Sequence, residues 1–178
     1  AIVVVRMPGG GTHFVVAWRR HGPVVQVMDP GSGRRWTTTA AFIEECFEHQ
    51  TAVPAKTWRD WAGTDGFLNV LRRRLNQIKL PFTLIQTLIA KALADAGWQS
   101  LGALDAATRM TAAMVAAGGI RRGREAGRTL ERLFDTAVSK PQILPAQYWS
   151  VQPSAARDGE EQVKITGVVL ITVHGRRT

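Results

Sequence analysis

His13 and Asp29 are the two residues whose types and spacing point to chemistry. They lie either side of a chain reversal, His13 in Thr12-His13-Phe14-Val15-Val16-Ala17-Trp18 and Asp29 in Val24-Val25-Gln26-Val27-Met28-Asp29-Pro30. A carboxylate that holds an imidazole fixes its tautomer and stabilises the imidazolium formed when the ring takes a proton from a serine or cysteine. The only thiol, Cys46, must also be weighed as a nucleophile. It falls on the apolar stripe of an expected helix with Glu44, Glu45 and Glu48 close by, and both burial and carboxylates raise a thiol pKa. Cys46 therefore reads as a buried structural residue. His49 is expected at the surface, at the C-terminal end of the same helix, where the dipole favours it. His21 and His174 fall at a turn and a strand end, with no partner visible in the sequence.

Two strands and a turn must position the pair. Arg20-His21-Gly22 suits a three-residue hairpin loop, with Gly22 in the left-handed position. Residue 19 then faces 23, 17 faces 25, 15 faces 27, and His13 faces Asp29. A two-residue loop would instead set His13 opposite Pro30. Opposed residues have Cβ atoms about 4.5–5.5 Å apart, so the imidazole and carboxylate are expected in contact near ~3 Å. Val15, Ala17, Val25 and Val27 share their face. Phe14, Trp18, Val24, Gln26 and Met28 take the other, so both faces are apolar and the hairpin is expected inside a layered domain.

Gly9-Gly10-Gly11-Thr12-His13-Phe14-Val15-Val16, the turn, and Val25-Gln26-Val27-Met28-Asp29-Pro30-Gly31-Ser32-Gly33 precede a short amphipathic helix containing Phe42. This run resembles the second half of the papain-like cysteine peptidase domain of bacteriocin-processing transporters, which cut leader peptides after a double glycine. The resemblance covers roughly residues 1–60 and implies that His13 is the general base and Asp29 its orienter. It also implies a peptide or leader-peptide substrate, a transporter membrane domain as partner, and a cytoplasmic location at the inner face of the membrane. That family's nucleophile lies in a Cys-Gly motif opening a helix well before the histidine, with a glutamine just upstream. Neither occurs in the twelve residues before His13. Because Ala1 is not methionine and Ala1–Met7 already looks like a strand, the chain is expected to be a fragment, inactive alone. A peptidase-like module that only binds a peptide is the alternative.

Composition bounds the remaining classes. The 178 residues are 45% hydrophobic and 21% charged, as in an ordinary globular protein. No apolar run approaches the ~20 residues of a membrane span. Neither zinc-type Cys/His spacing nor a nucleotide-binding glycine loop occurs, so no metal or cofactor is expected. The net charge of +9 suits anionic partners. Its arginines fall in separate clusters at expected turns and helix ends, which read as solvated caps; a basic nucleic-acid-binding module is only a further alternative.

The expected architecture is α+β, a papain-like antiparallel sheet fragment followed by a helical region and a C-terminal antiparallel strand pair. Residues 1–60 form the peptidase-like half domain, 61–140 the helical region, and 141–178 a β region able to rejoin the first sheet. Thr39 is the expected N-cap of the Phe42 helix, and Thr57-Trp58-Arg59-Asp60 resembles a capping box. The Trp58, Trp61 pair is expected to pack where the two parts meet. Phe67, Leu68, Leu71, Leu75 and Ile78 mark one helix, and Leu84, Ile85, Leu88, Ile89 and Leu93 another, ended by Gly97. Asp105 looks like the N-cap of a third, through Met110, Met114 and Val115, closed by Gly118-Gly119. That glycine pair reads as a cap rather than a cleavage site, and the methionines as core. A fourth helix spans about Arg124–Val138. Gln147–Gln152 and Val163–Val173 are the expected closing strands.

Overall fold

Gly22 adopts a positive φ of 56° and forms with Pro23 a two-residue turn between β2 (Thr12–His21) and β3 (Val24–Asp29). The expected three-residue loop is not formed. Glycine supplies the positive φ that the first central position of a II′-type hairpin needs, and proline's fixed φ suits the second. On its own this turn sets residues 13 and 29 on opposite faces. The ladder runs His21↔Val24, Arg20↔Val25 and Arg19↔Gln26, then shifts at Trp18 to Ala17↔Val27 and Val16↔Met28. One extra residue in one strand is a β-bulge, and it exchanges the faces of everything beyond it. His13 and Asp29 thereby return to one face. They are diagonal neighbours rather than directly opposed, since the shifted register sets Asp29 across from Val15.

The computed structural model describes residues 1–157 and 159–167, with the backbone of Leu170–Ile171. The fold is α+β, in two units: Ala1–Gln50, which the chain rejoins from Thr166, and Thr51–Ile165. In the first unit β1 (Ile2–Arg6) and β4 (Gly33–Thr38) complete an antiparallel sheet in the order β4-β3-β2-β1-β8. β8 (Leu170–Ile171) pairs with Ile2 and Val3. The helix α1 (Thr39–Glu45) is capped by Thr38, not Thr39, whose hydroxyl accepts from the Ala41 N–H at 3.1 Å.

Val3, Val5, Val15, Val25 and Val27 pack with Phe42 and Cys46 into one apolar cluster. Burying such a side chain contributes roughly 1.5–3 kcal/mol, so this layer holds the sheet. The other face is not enclosed. Phe14, Trp18 and Trp36 are 59%, 66% and 53% exposed, which corrects the expectation of a hairpin covered on both sides. Phe42 of α1 and Cys46, just after that helix, lie on the valine face.

The second unit takes in β5 (His49–Pro54) from Thr51 on, α2 (Ala55–Ala62), α3 (Asp65–Gln77), α4 (Phe82–Leu93), α5 (Gln99–Ala116), α6 (Arg124–Ser139), β6 (Val151–Arg157) and β7 (Glu160–Gly167) as far as Ile165. Two 3-10 turns, Pro141–Ile143 and Ala146–Tyr148, connect α6 to β6, and the strands form a sheet in the order β5-β7-β6. The Thr57 capping box is absent because α2 starts at Ala55, directly after Pro54. Trp58 is buried and meets Phe67 edge-on, whereas Trp61 is 53% exposed. The α4 helix stops at Leu93, before Gly97, whose N–H is taken by the Asp95 carboxylate at 2.8 Å. Gln147 and Tyr148 belong to a 3-10 turn, so the first closing strand starts only at Val151. The expected second strand is described as far as Gly167 and again, as backbone, at Leu170–Ile171; the rest of it and His174 lie outside the described residues.

Asp105 is not a cap. It lies inside α5 and is fully buried. Arg74 Nη1 donates to Asp105 Oδ1 at 2.6 Å, while Arg109 Nε and the Ser150 hydroxyl donate to Oδ2 at 2.9 and 2.6 Å. Two guanidinium groups and a hydroxyl thus supply what an interior carboxylate requires, overriding the preference of aspartate for helix starts. Around it, Leu101, Ala103, Leu104, Ala106 and Ala107 have no exposed surface. Gly102 lets β6 approach, since a Cβ there would stand 2.9 Å from Val151 Cγ1. Asp105→Ala removes the acceptor shared by Arg74 and Arg109, whose side chains are 33% and 36% exposed, and by the Ser150 hydroxyl. Its expected cost is about 1–3 kcal/mol, measured by denaturant unfolding; a change below ~0.5 kcal/mol would show that the cluster is not structural.

Candidate functional site

His13 Nε2 lies 2.8 Å from Asp29 Oδ1. The carboxylate is set by its own turn: the Gly31 N–H donates to Oδ1 at 2.8 Å, the Ser32 N–H to Oδ1 at 3.3 Å, and the Ser32 hydroxyl to Oδ2 at 2.9 Å. Asp29 pairs with Gly33 across the β3–β4 hairpin, and Gly33 takes the positive φ of 86° that closes the loop. An ionised carboxylate only accepts, so Nε2 carries the hydrogen of the neutral ring. The lone pair is then on Nδ1. Nδ1 has no hydrogen-bond partner among the described residues, and the His13 side chain is 30% exposed. The ring is fixed at one nitrogen and available at the other.

The hydrogen bond from His13, with those of Gly31 and Ser32, holds the Asp29 carboxyl well below the usual carboxylate range, against a smaller opposing effect of burial. Asp29 is therefore charged throughout the range in which histidine titrates. Ser32 and Gly31 were not singled out in the sequence. An Asp-Pro-Gly-Ser run was the available signal, because an aspartate beginning a turn accepts from N–H groups two and three residues on.

Cys46 stands apart from the pair. Val5 of β1 pairs with His13 on one side and bridges to Cys46 on the other. Cys46 is thus two strand spacings from His13, roughly 9–10 Å between backbones. Its thiol donates to the Phe42 carbonyl at 3.3 Å. Burial, and then the charge of Glu45, push its pKa up. Glu45 itself forms a two-pronged pair with Arg35, whose guanidinium pKa it raises.

His49 differs from its expected surface position at a helix end. It opens β5 and packs edge-on against Phe47 at 4.8 Å between ring centroids. Its Nε2 is buried with no partner among the described residues. His21 lies 5.5 Å from Trp36 between ring centroids, on the exposed face of the sheet. Neither histidine joins the site.

No protein-family model, curated protein or solved structure was found to match the chain.

A carboxylate with a lowered folded pKa gives stability that is complete above its unfolded value, near 3.8, and is lost as pH falls through the folded value. Asp29→Asn should therefore lower the melting temperature at pH 6, and the gap from the parent protein should close as pH falls below about 3.8. Thermal unfolding at pH 6, 4 and 2.5 measures it; a gap that widens on acidification contradicts the assignment.

Proposed function

We propose that His13 and Asp29 are the base and orienter of a cysteine-type peptidase site acting on a leader peptide in connection with peptide export. The observation that carries the reading is the ring bound through Nε2 to an aspartate already fixed by its own turn, leaving Nδ1 unengaged. Such a ring can take a proton at Nδ1 from a thiol whose sulfur attacks the scissile carbonyl, then return it to the departing amine. Asp29 supports the imidazolium between those steps. The thiol in this reading is not Cys46, whose hydrogen is held by a carbonyl and whose pKa is raised; since Cys46 is the only cysteine of the 178 residues, the reading calls for a thiol supplied from outside them.

The substrate is a peptide or leader peptide, and the partner a transporter membrane domain at the inner face of the membrane. No helix among the described residues is long and apolar enough to cross a membrane. A second reading is a silent module that docks a peptide against the same sheet. It is favoured by one observation: no hydroxyl or thiol among the described residues hydrogen-bonds His13.

The 178-residue chain alone is expected not to hydrolyse peptides, because base and orienter without nucleophile or oxyanion donors lack the groups that form and stabilise the tetrahedral intermediate. In a longer polypeptide that joins it to a Cys-Gly helix start, leader cleavage should appear. There His13→Ala should lower kcat/KM on the order of 10⁴-fold or more, Asp29→Asn should retain part of the activity, and Cys46→Ser should leave turnover intact. Cleavage that survives His13→Ala would remove the peptidase reading. Peptide binding without cleavage in the joined protein would favour the silent module.

A further inference from the structure

We propose that the cleft between the start of α5, the two 3-10 turns and the β6–β7 hairpin binds an organic cation with an apolar body, the chemistry shared by a lysine or arginine side chain of a peptide and by a free arylalkylamine. It lies wholly within the Thr51–Ile165 unit and is independent of the reading of His13 and Asp29. The volume is about 740 Å³, within the usual range for small-molecule sites. Trp98 and Leu144, 6% and 2% exposed, form its inner part. Trp149, Pro145 and Pro153 line it further out.

Glu161 is the one charged residue among those lining the cleft, in a chain whose net charge is +9. The buried Trp98 indole positions it, donating to Oε1 at 2.8 Å. Gln99 Nε2 reaches the same oxygen at 3.5 Å. Oε2 has no hydrogen-bond partner among the described residues. The other indole N–H is already committed, from Trp149 to the Leu144 carbonyl at 3.3 Å, and the Gln152 amide donates to the Ala146 carbonyl at 3.0 Å. Both indole donors are thus satisfied within the protein, while a carboxylate oxygen and aromatic surface remain for a ligand. Such a lining repels anions and gives an ammonium or guanidinium both a charged acceptor and an aromatic neighbour. Proline and tryptophan walls suit the apolar body attached to it.

The test uses the full 178-residue chain with two matched probe pairs: phenethylammonium against 2-phenylethanol, and acetyl-Pro-Arg-Pro-amide against acetyl-Pro-Gln-Pro-amide. Calorimetry measures affinity, and indole N–H resonances assigned to Trp98 and Trp149 report the place. At least one cationic probe should bind about ten-fold or more tightly than its neutral partner, shifting both indole resonances. Preference for the peptide identifies a side chain as ligand; preference for the arylamine identifies a free amine. Glu161→Gln keeps an acceptor for the Trp98 indole and should abolish the charge preference. Ala146→Lys, at an exposed position on the rim, sets a competing ammonium there and should give the same loss with the core untouched. Equal binding of charged and neutral probes, unmoved indole resonances, or a preference that survives both substitutions overturns the proposal.

Discussion

The extra residue at Trp18 decides what the first sheet can do. Side chains alternate between faces with a period of two, so a two-residue Gly22-Pro23 turn alone separates His13 from Asp29 by the thickness of the sheet. The register shift between Ala17 and Arg19 brings them to the same face. The same shift keeps Val15 and Ala17 beside Val25 and Val27, so the pair and the valine cluster depend on one irregularity. It also leaves the large Trp18 side chain on the exposed face, where bulk is tolerated.

Position alone does not make an imidazole a useful base. Asp29 is held from one side by the Gly31 and Ser32 N–H groups and the Ser32 hydroxyl, and from the other by His13. The turn therefore fixes the carboxylate in the folded protein, and the carboxylate orients the ring. Asp105 answers the same problem differently. Buried in α5, it accepts from two arginines and a serine, so that each of its oxygens has a donor. One aspartate orients a neighbouring imidazole; the other joins α3, α5 and the approach to β6.

Helices α3, α4 and α6 were legible because their apolar residues recur at helical spacing and their cores are Leu71, Leu75, Ile85, Leu88, Leu130 and Phe134. The α+β class followed from the strand patterns at both ends. The contact of His13 with Asp29 was expected on a register the protein does not use: the turn at Gly22-Pro23 shifts the pairing by three residues and the bulge takes back one, which restores the shared face but leaves the two residues diagonal rather than opposed. Bulges carry little local signal, so a pattern of alternation cannot reveal them. Asp105 was misplaced because its partners Arg74 and Ser150 lie 31 and 45 residues away, and only the fold brings them together. The exposed aromatic face was misread for a related reason, since apolar alternation reports a side chain's direction and not what lies opposite it.

His13 presents a lone pair at Nδ1 while Nε2 donates its hydrogen to Asp29. Imidazole nitrogen-15 chemical shifts of selectively labelled protein at pH 8 test it most directly. The account predicts a protonated Nε2 and an unprotonated Nδ1 for His13, with Asp29→Asn weakening the preference. A neutral His13 carrying its hydrogen on Nδ1, or a tautomer mixture unaffected by Asp29→Asn, would contradict it.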